Sequence, residues 1–376
     1  MKKKILFMID RLEGGGAQKV LFNIIYHLNK NKFEVHLLSF LAEGYYSKHI
    51  PKDVKHWSIF RDPATLPKGI SFLYRLYRRS IYELFCYFPF LYGVFSRINE
   101  KYDIGISFCE GHNTALLNFK RKLFKRTIAW VHIDLSLLDD KIAHKHLCNY
   151  ASSFDVMYFV SEDARRAFVT TYPQFEKKSN IEVVYNPIDT KEIMKQTTSE
   201  NIRSEGMTIL AIGRLSAQKR FDKLINVHKK LLDKGIKHQV WILGEGSDRK
   251  MLETQIKQLD VKDTCHLLGY KNPYPYLRRA DIFVMTSDYE GLPVVICEAM
   301  VLSRPIVSTK ITGPVELLEN GKYGLLIDKT EEGIESGLEK MILDSELRKS
   351  YQIRLSENQG KFIFPTTIQH IEDKLN

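Results

Sequence analysis

Short apolar segments alternate with longer segments of helical character along the first half of the chain. They are nearly continuous in apolar residues, which is typical of strands buried on both faces. Six such segments are predicted to be strands: residues 4–9, 33–40, 103–108, 127–131, 155–160 and 181–185. The pattern therefore predicts a parallel sheet with helices on both sides.

The alternation stops in the middle of the chain and then restarts. Residues 186–206 are polar, carry Pro187 near their start and show no apolar periodicity, so we predict a linker there. Five more strands are predicted after it: residues 207–212, 238–243, 264–268, 281–285 and 305–308. The predicted fold class is α/β, with two Rossmann-like, doubly wound domains at residues 1–188 and 189–359. Ligands of such sheets bind beyond the carboxyl ends of the strands, so two facing sheets would form one cleft.

The composition is that of a soluble globular protein: 376 residues, 44% hydrophobic and 27% charged. The apolar run at residues 5–9 is too short for a secretory signal. The longest apolar stretch, residues 84–95, contains Pro89 and Gly93 and is too short to span a bilayer. Five cysteines without a CxxC pair indicate reduced core thiols, with neither a disulfide framework nor a zinc site. We expect a cytoplasmic protein.

The net charge of +11 lies almost entirely in the first half. Residues 1–188 hold 28 Lys and Arg against 18 Asp and Glu, whereas residues 189–376 hold 28 against 27. Such a basic face could attract nucleic acid or an anionic membrane surface, or it could simply be solvated.

A glycine-rich turn, Gly14-Gly15-Gly16, follows the first predicted strand and opens a helix. Glycines there allow the backbone to approach a ligand, and the helix N-terminus offers free N–H groups to an anion. The GxGxxG dinucleotide motif is not met, because the third glycine is missing. A ligand role and a simple tight turn both remain open.

Two cations follow the first strand of the second half. Arg214 and Lys219 lie in the loop between Gly213 and a helix predicted to begin near Phe221. A guanidinium fork and an ammonium beside a helix N-terminus are suited to a diphosphate. The alternative is two solvated loop charges.

A second strand-to-helix turn has the same form. Gly244-Glu245-Gly246 follows the predicted strand at residues 238–243, and Ser247 is the expected cap of the next helix. The glycines would keep the floor of a site free of side chains. A plain turn explains them equally well.

Two glutamates eight residues apart, Glu290 and Glu298, surround a Gly-Leu-Pro turn. Pro293 suits the first position of a helix that carries Glu298 in its second turn. Carboxylates accept hydrogen bonds from hydroxyl groups, which suits the vicinal diols of a sugar and a ribose. The main-chain N–H groups expected to point at this ligand are those of Gly291, Leu292 and Val294. The alternative is that Arg or Lys partners neutralise both acids.

Together these motifs resemble the retaining glycosyltransferases of GT-B fold, family 4, over nearly the whole chain. The matching residues are Glu290 to Glu298, which follow the family's E-x7-E signature; Gly213-Arg214-Leu215 with Lys219; Gly244-Glu245-Gly246; and Gly14-Gly15-Gly16-Ala17. Gln18 stands where the family usually has Glu, so no role is assigned to that position.

The resemblance implies a nucleoside-diphosphate sugar donor, with UDP as the expected nucleotide. In this scheme the second domain binds the donor. Arg214 and Lys219 hold the diphosphate, Glu290 the sugar, Glu298 the ribose and Tyr270 the base. The site is completed by Gly244, by the main-chain amides of Gly291, Leu292 and Val294, and by Pro293 in the same turn. The first domain adds Gly15, Gly16 and His132. A final helix, around residues 360–376, would return to the first domain.

The implied chemistry is front-face transfer of a hexosyl group with retention, in which the departing phosphate takes the acceptor's proton. Neutralising the diphosphate is then the main catalytic task, and neither a metal nor another cofactor is required. The implied acceptor is a glycan or a lipid-linked glycan of surface polysaccharide biosynthesis. A non-catalytic sugar-nucleotide-binding protein and a nicotinamide-dependent oxidoreductase are the alternatives.

Residues 72–97 interleave four arginines with many aromatic residues. A basic, aromatic helix can lie in the headgroup layer of a membrane, so we predict peripheral association with the inner leaflet, where a lipid-linked acceptor would be presented. A core helix is the alternative. RNA binding is not expected, because no RNP or KH-like motif is present.

Overall fold

The computed structural model describes residues 2–13, 15–85, 87–88, 90–132, 149–176, 180–204, 206–357 and 368–376. The chain divides into two compact units. The first is formed by Met1–Pro187 together with Thr366–Asn376, and the second by Ile188–Pro365. Each unit has its own parallel sheet, so the predicted α/β class with two doubly wound sheets is confirmed.

The first unit contains a seven-stranded sheet in the order β3-β2-β1-β4-β5-β6-β7, with every pair parallel. Ile5 of the central strand is fully buried and pairs with Val35 on one side and Ile104 on the other. Strand order reverses between β1 and β4, which opens a crevice at their carboxyl ends. The strands are β1 (Lys3–Ile9), β2 (Phe33–Leu41), β3 (Lys55–Phe60), β4 (Tyr102–Phe108), β5 (Phe124–Val131), β6 (Val156–Phe159) and β7 (Ile181–Val183).

Strand β3 was not predicted, because Lys55, His56 and Ser58 interrupt its apolar pattern. It lies at the edge of the sheet, where a strand is not enclosed on both sides and can carry polar residues. The indole Nε1 of Trp57 donates to the main-chain oxygen of Ser96 at 2.9 Å and so fixes the strand to the turn before β4.

Before residue 188, the described residues of the first unit form helices α1 (Gly16–His27), α2 (Lys68–Leu84), α3 (Phe90–Phe95), α4 (His112–Phe119) and α5 (Glu162–Thr171). Helix α1 buries Val20, Leu21, Ile24 and Ile25, the spacing of one helical face against a sheet. Helix α2 differs, because none of its 17 residues is buried.

The helix Ile368–Leu375 near the end of the chain packs on the first unit. Glu372 accepts a hydrogen bond from the main-chain N–H of Asn29 at 2.6 Å, and the Arg126 guanidinium donates to the main-chain oxygen of Lys374 at 2.8 Å. The part of the predicted final helix that precedes Ile368 lies outside the described residues.

The second unit contains a six-stranded parallel sheet in the order β10-β9-β8-β11-β12-β13, which reverses between β8 and β11. Its strands are β8 (Thr208–Ile212), β9 (Gln239–Leu243), β10 (Cys265–Gly269), β11 (Ile282–Met285), β12 (Ile306–Thr309) and β13 (Leu325–Ile327). Its helices are α6 (Thr190–Gln196), α7 (Phe221–Asp233), α8 (Arg249–Gln258), α9 (Pro273–Arg279), α10 (Val294–Val301), α11 (Thr312–Leu317), α12 (Glu331–Leu343) and α13 (Ser345–Glu357).

The segment predicted to be a linker contains helix α6. The Asp189 carboxylate caps this helix by accepting from the main-chain N–H of Glu192 at 2.9 Å. Ile193 is its one buried residue, so the segment carries no apolar periodicity for sequence reading to detect. Along the described chain, no helix combines the length and apolar character that crossing a membrane requires.

Candidate active site

The crevice of the second unit lies where strands β8 and β11 end, and two loops are hydrogen-bonded together there. The hydroxyl of Thr286 donates to the main-chain oxygen of Lys219 at 2.7 Å. The main-chain N–H of Asp288 donates to Gln218 O at 2.9 Å, and the Gln218 side chain donates to Tyr289 O at 2.7 Å. Segments about 70 residues apart in sequence therefore form one wall.

Lys219 and Glu290 meet on this wall. The Lys219 ammonium lies 2.5 Å from Glu290 Oε1, and the two side chains are only 16% and 13% exposed. The alternative raised for the acids, neutralisation by a basic residue, thus holds for Glu290. An ammonium has three donors and a carboxylate several acceptor positions, so the pair can hold each other and still bind a phosphate and a hydroxyl.

Glu298 is almost completely buried, with 1% exposure, in the second turn of α10. Its Oε1 accepts a hydrogen bond from the Tyr274 hydroxyl at 3.3 Å. Helix α10 begins at Val294, so Pro293 takes the N-cap position, one residue outside the position expected from the sequence. Tyr274, on α9, was missed; its only signal was the Asn-Pro helix start that precedes it, at Asn272.

The loop that begins at Gly291 packs tightly against the start of α11. A Cβ atom at Gly313 would lie 1.9 Å from Gly291 O and 2.9 Å from the ring of Pro293. Leu292 is buried in the same loop. Gly313 thus supports the segment that carries the predicted amide ligands, and sequence reading missed it because a single glycine after a strand resembles any turn.

The glycines after β9 have a packing role. Gly244 has a φ of +146°, and a Cβ there would lie 1.8 Å from Gly213 O. A Cβ at Gly246 would lie 2.2 Å from Leu215 O. Both glycines therefore let the loops after β8 and β9 pack backbone against backbone.

The prediction that Ser247 caps the next helix is wrong. Helix α8 begins at Arg249, Asp248 occupies its N-cap position and no side chain caps it. The Ser247 hydroxyl instead donates to the Asp248 carboxylate at 2.8 Å.

Arg214 lies in the same loop after β8 as Lys219, and Tyr270 lies at the carboxyl end of β10 in the same sheet. Arg214 is exposed, whereas the Lys219 side chain is only 16% exposed. Tyr270 directly follows β10 and is 46% exposed.

At the carboxyl edge of the first sheet, Gly15 is the N-cap residue of α1 and Gly16 its first residue. Gly14 lies outside the described residues, as do the residues that follow His132. Asp10, where β1 ends, accepts a hydrogen bond from the Tyr82 hydroxyl of α2 at 2.7 Å, and burial raises the pKa of its carboxyl group. Asp10 was missed, although a carboxylate that ends an apolar strand was a usable signal.

His132 follows β5 at the same edge. Its main-chain N–H donates to Glu110 Oε1 at 2.5 Å, and its ring lies 4.4 Å from that of Phe108. Burial lowers the pKa of the His132 imidazole to about 3, so the ring is neutral at physiological pH. Among the described residues, its buried Nε2 has no hydrogen-bond partner.

Within the part of the chain that the structure describes, no group of three or more His, Cys, Asp or Glu side chains is arranged to hold a metal ion. Cys109, Cys265 and Cys297 are free thiols. Cys86 and Cys148 lie outside the described residues.

The chain is similar to known proteins along most of its length. The family model described as Glycosyltransferase Family 4 matches residues 14–192, and that of glycosyl transferases group 1 matches residues 192–356. An uncharacterised glycosyltransferase of Methanocaldococcus jannaschii is 28% identical over 246 residues, 56% of this chain and 60% of that protein.

Two further comparisons cover nearly the whole chain. The N-acetylgalactosamine-N,N'-diacetylbacillosaminyl-diphospho-undecaprenol 4-alpha-N-acetylgalactosaminyltransferase of Campylobacter jejuni is 28% identical over 354 residues, 93% of each chain. The crystal structure of Anabaena HepE in complex with UDP has a TM-score of 0.70 at 19% identity and covers 100% of this chain and 99% of that one, which shows a common fold.

Consecutive family models thus match residues 14–356, and the fold is the GT-B fold of the compared structure. The chain belongs to glycosyltransferase family 4, the glycosyl transferases group 1, and is a glycosyltransferase of this retaining family.

Proposed function

We propose that this glycosyltransferase transfers a hexosyl group from a UDP-sugar to a lipid-linked glycan during surface polysaccharide assembly. The observation that carries the donor assignment is the Lys219–Glu290 pair, which is set into the strand-order reversal of the second sheet. UDP is the nucleotide bound in the HepE structure, and the Campylobacter relative is named for a diphospho-undecaprenol-linked acceptor.

In this proposal the second unit binds the donor. Lys219 and Arg214 bind the diphosphate, Lys219 through its largely buried ammonium and Arg214 through its exposed guanidinium. Glu290 binds hydroxyls of the sugar and Glu298 those of the ribose, while Tyr270 approaches the base. The N–H groups at the start of α10 complete the phosphate and sugar contacts, because a helix N-terminus favours an anion. These contacts involve Gly291, Leu292 and Val294, with Pro293 in the same turn and Gly244 beneath.

Transfer forms a bond between the acceptor oxygen and the anomeric carbon and breaks the bond from that carbon to the diphosphate. The acceptor's proton passes to the departing phosphate oxygen on the same face of the sugar. Negative charge accumulates on the diphosphate, so the cation nearest to it contributes most. We assign this role to Lys219, and its contact with Glu290, which holds the ammonium in one position, supports the assignment.

We propose that Gly15, Gly16 and His132 of the first unit add contacts to phosphate and sugar. A neutral imidazole can accept a hydrogen bond from a sugar hydroxyl or donate one to it. Because the pKa of His132 is about 3, its part in binding stays the same throughout the physiological pH range.

We further propose that helix α2 holds the protein at an anionic membrane surface. Phe72 and Leu73 are 64% and 67% exposed, and Arg75, two residues further along the helix, is exposed as well. Large apolar side chains beside arginines are the pattern of a helix that lies in a headgroup layer.

The activity test is UDP release from a panel of UDP-sugars by the full chain, with and without a diphospho-undecaprenol-linked acceptor. Lys219→Ala should lower kcat about 10²–10³-fold, which is the loss of ~2–4 kcal/mol of transition-state stabilisation. Lys219→Arg should recover part of the rate, and Lys250→Ala, an exposed lysine on α8, should match the unmodified chain. Donor binding without release or transfer would instead indicate a sugar-nucleotide-binding protein.

The membrane test compares co-sedimentation with anionic and neutral liposomes at low salt. A Phe72→Ser, Leu73→Ser double variant should lose binding to anionic liposomes and keep UDP release in solution. Equal binding of the unmodified chain to both kinds of liposome would rule out the electrostatic part of the proposal.

A further inference from the structure

A pocket of about 410 Å³ lies in the first unit beside helix α2, at the carboxyl end of the edge strand β3. Ile59 and Phe60 form its floor, and its walls combine aliphatic, aromatic and basic side chains. The wall residues that matter here are Arg61, Ile70, Tyr74, Tyr77, Phe95 and Arg97. This volume falls in the range of small-molecule sites, ~300–1,000 Å³.

The two arginines are available to an external anion. Both are exposed, and along the described chain neither guanidinium forms an ion pair or a hydrogen bond. Other arginines nearby are engaged: Arg78 pairs with Glu43 at 3.0 Å and Arg79 with Glu83 at 3.2 Å. Unpaired guanidinium forks are suited to phosphate oxygens.

The backbone holds Arg97 in an unfavourable conformation. Its φ is +53°, in the left-handed region that a non-glycine residue adopts only at a cost. The turn is fixed on both sides, because Trp57 donates a hydrogen bond to Ser96 O and Ile98 is buried. Glycine would fit this turn without strain, so the arginine side chain is not explained by local folding.

The helices that supply wall residues also carry exposed apolar side chains. Tyr74, a wall residue, is fixed because its hydroxyl accepts from the main-chain N–H of Arg61 at 2.9 Å. Beyond the wall, Phe72 and Leu73 on α2 and Val94 on α3 are mostly exposed. The pocket therefore combines two basic side chains with an apolar wall, which suits a hydrocarbon chain that ends in a phosphate.

We propose that this pocket binds the phosphorylated end of a polyprenyl carrier, with phosphate on Arg61 and Arg97 and the first isoprene units against Ile70, Tyr77 and Phe95. The rest of the chain would extend from the pocket into the membrane at which α2 is proposed to lie. This assignment rests on the proposed function, since it names the subsite that receives the carrier of the acceptor.

The test uses the full chain and farnesyl diphosphate, a short water-soluble prenyl diphosphate, in isothermal titration. Saturable binding is expected, with an affinity at least tenfold higher than that of inorganic diphosphate. Arg61→Gln and Arg97→Gly should each weaken it at least tenfold. Arg75→Gln, which removes an exposed charge outside the pocket, should leave it within twofold. Urea unfolding should show that Arg97→Gly is at least as stable as the unmodified chain, because glycine adopts this φ without strain.

Any of these titration results would overturn the assignment: equal affinity for inorganic and farnesyl diphosphate, no loss in the Arg61 and Arg97 variants, or an equal loss in Arg75→Gln. Binding only to phosphatidylglycerol vesicles would do so too. Full transfer to a lipid-linked acceptor by both pocket variants would reject the pocket and keep the transferase. Arg97-dependent farnesyl diphosphate binding without any sugar transfer would reject the proposed function and keep the pocket.

Discussion

Two histidines buried in the second unit should make its stability depend on pH. The Nδ1 of His228 on α7 lies 2.8 Å from the Nε2 of His238, and the His238 Nδ1 lies 2.8 Å from Ile236 O. A carbonyl only accepts, so His238 carries its proton on Nδ1 and accepts through Nε2 from His228. The His228 Nε2 then accepts from the Thr264 hydroxyl at 2.9 Å. Both rings are neutral, and protonation of either would place a positive charge in a site that is buried from water.

The direction and size of the effect follow from these contacts. Burial lowers the pKa of His228 from 6.5 to about 3, and the pKa of His238 is lowered for the same reason. The unfolded chain therefore binds protons that the folded chain does not. The stabilisation is present in full above pH 6.5 and is lost as the pH falls towards 3. At ~1.4 kcal/mol per pH unit below 6.5, His228 alone should account for about 2 kcal/mol between pH 7 and pH 5.

The perturbation is His228→Asn, which keeps an amide donor for His238 and cannot take up a proton. Urea unfolding of both proteins at pH 7, 6 and 5 measures how much unfolding free energy each loses as the pH falls. Between pH 7 and pH 5 the variant should lose about 2 kcal/mol less than the unmodified chain. In thermal unfolding this corresponds to roughly 4–8 °C for a unit of this size. His27→Asn, at an exposed position on α1, is the matched control. Equal pH slopes for His228→Asn and the unmodified chain would refute the hydrogen-bond assignment.

Two further substitutions test the packing around the candidate site and the end of the chain. Gly313→Ala should weaken UDP binding at least tenfold in fluorescence titration and lower the free energy of unfolding by ~1–3 kcal/mol, because the added Cβ would overlap Gly291 O. The control is Gly69→Ala, whose Cβ would meet nothing within 4 Å. Glu372→Ala removes the buried carboxylate that accepts from the main-chain N–H of Asn29. Because a hydrogen bond to a charged group is lost, the first unit should lose ~1–3 kcal/mol and helix Ile368–Leu375 should exchange its amide hydrogens faster. Unchanged exchange there would show that this contact does not hold the helix.

Strands enclosed on both faces could be predicted from the sequence, because burial leaves a continuous apolar run such as Ile5–Ile9. Two edge strands, β3 and β13, could not, although the edge strands β7 and β10 were predicted. Strand β3 carries Lys55 and Ser58, and β13 has only three residues, so neither shows a run of that kind. Helix α6 was missed for a related reason, since it packs through Ile193 alone.

The candidate site was predictable in its residue types but not in its contacts. The segments that contain Lys219 and Glu290 were each predicted to bind a donor, yet nothing in their spacing indicates that the two side chains pair. The Tyr274 contact to Glu298 joins two helices, and α9 carries no motif. The requirement for Gly313 depends on the path of another loop, which a linear pattern does not contain.

The return of helix Ile368–Leu375 to the first unit has a consequence for synthesis. Asn29 and Glu372 are 343 residues apart, so the first unit cannot be finished when its own strands have left the ribosome. At 5–20 residues per second, the second unit takes about 10–40 s to be made. Throughout that time the nascent first unit exposes the surface that this helix later covers. If the chain is cut near residue 188 and both fragments are co-expressed, they should therefore assemble only when the second fragment retains helix Ile368–Leu375.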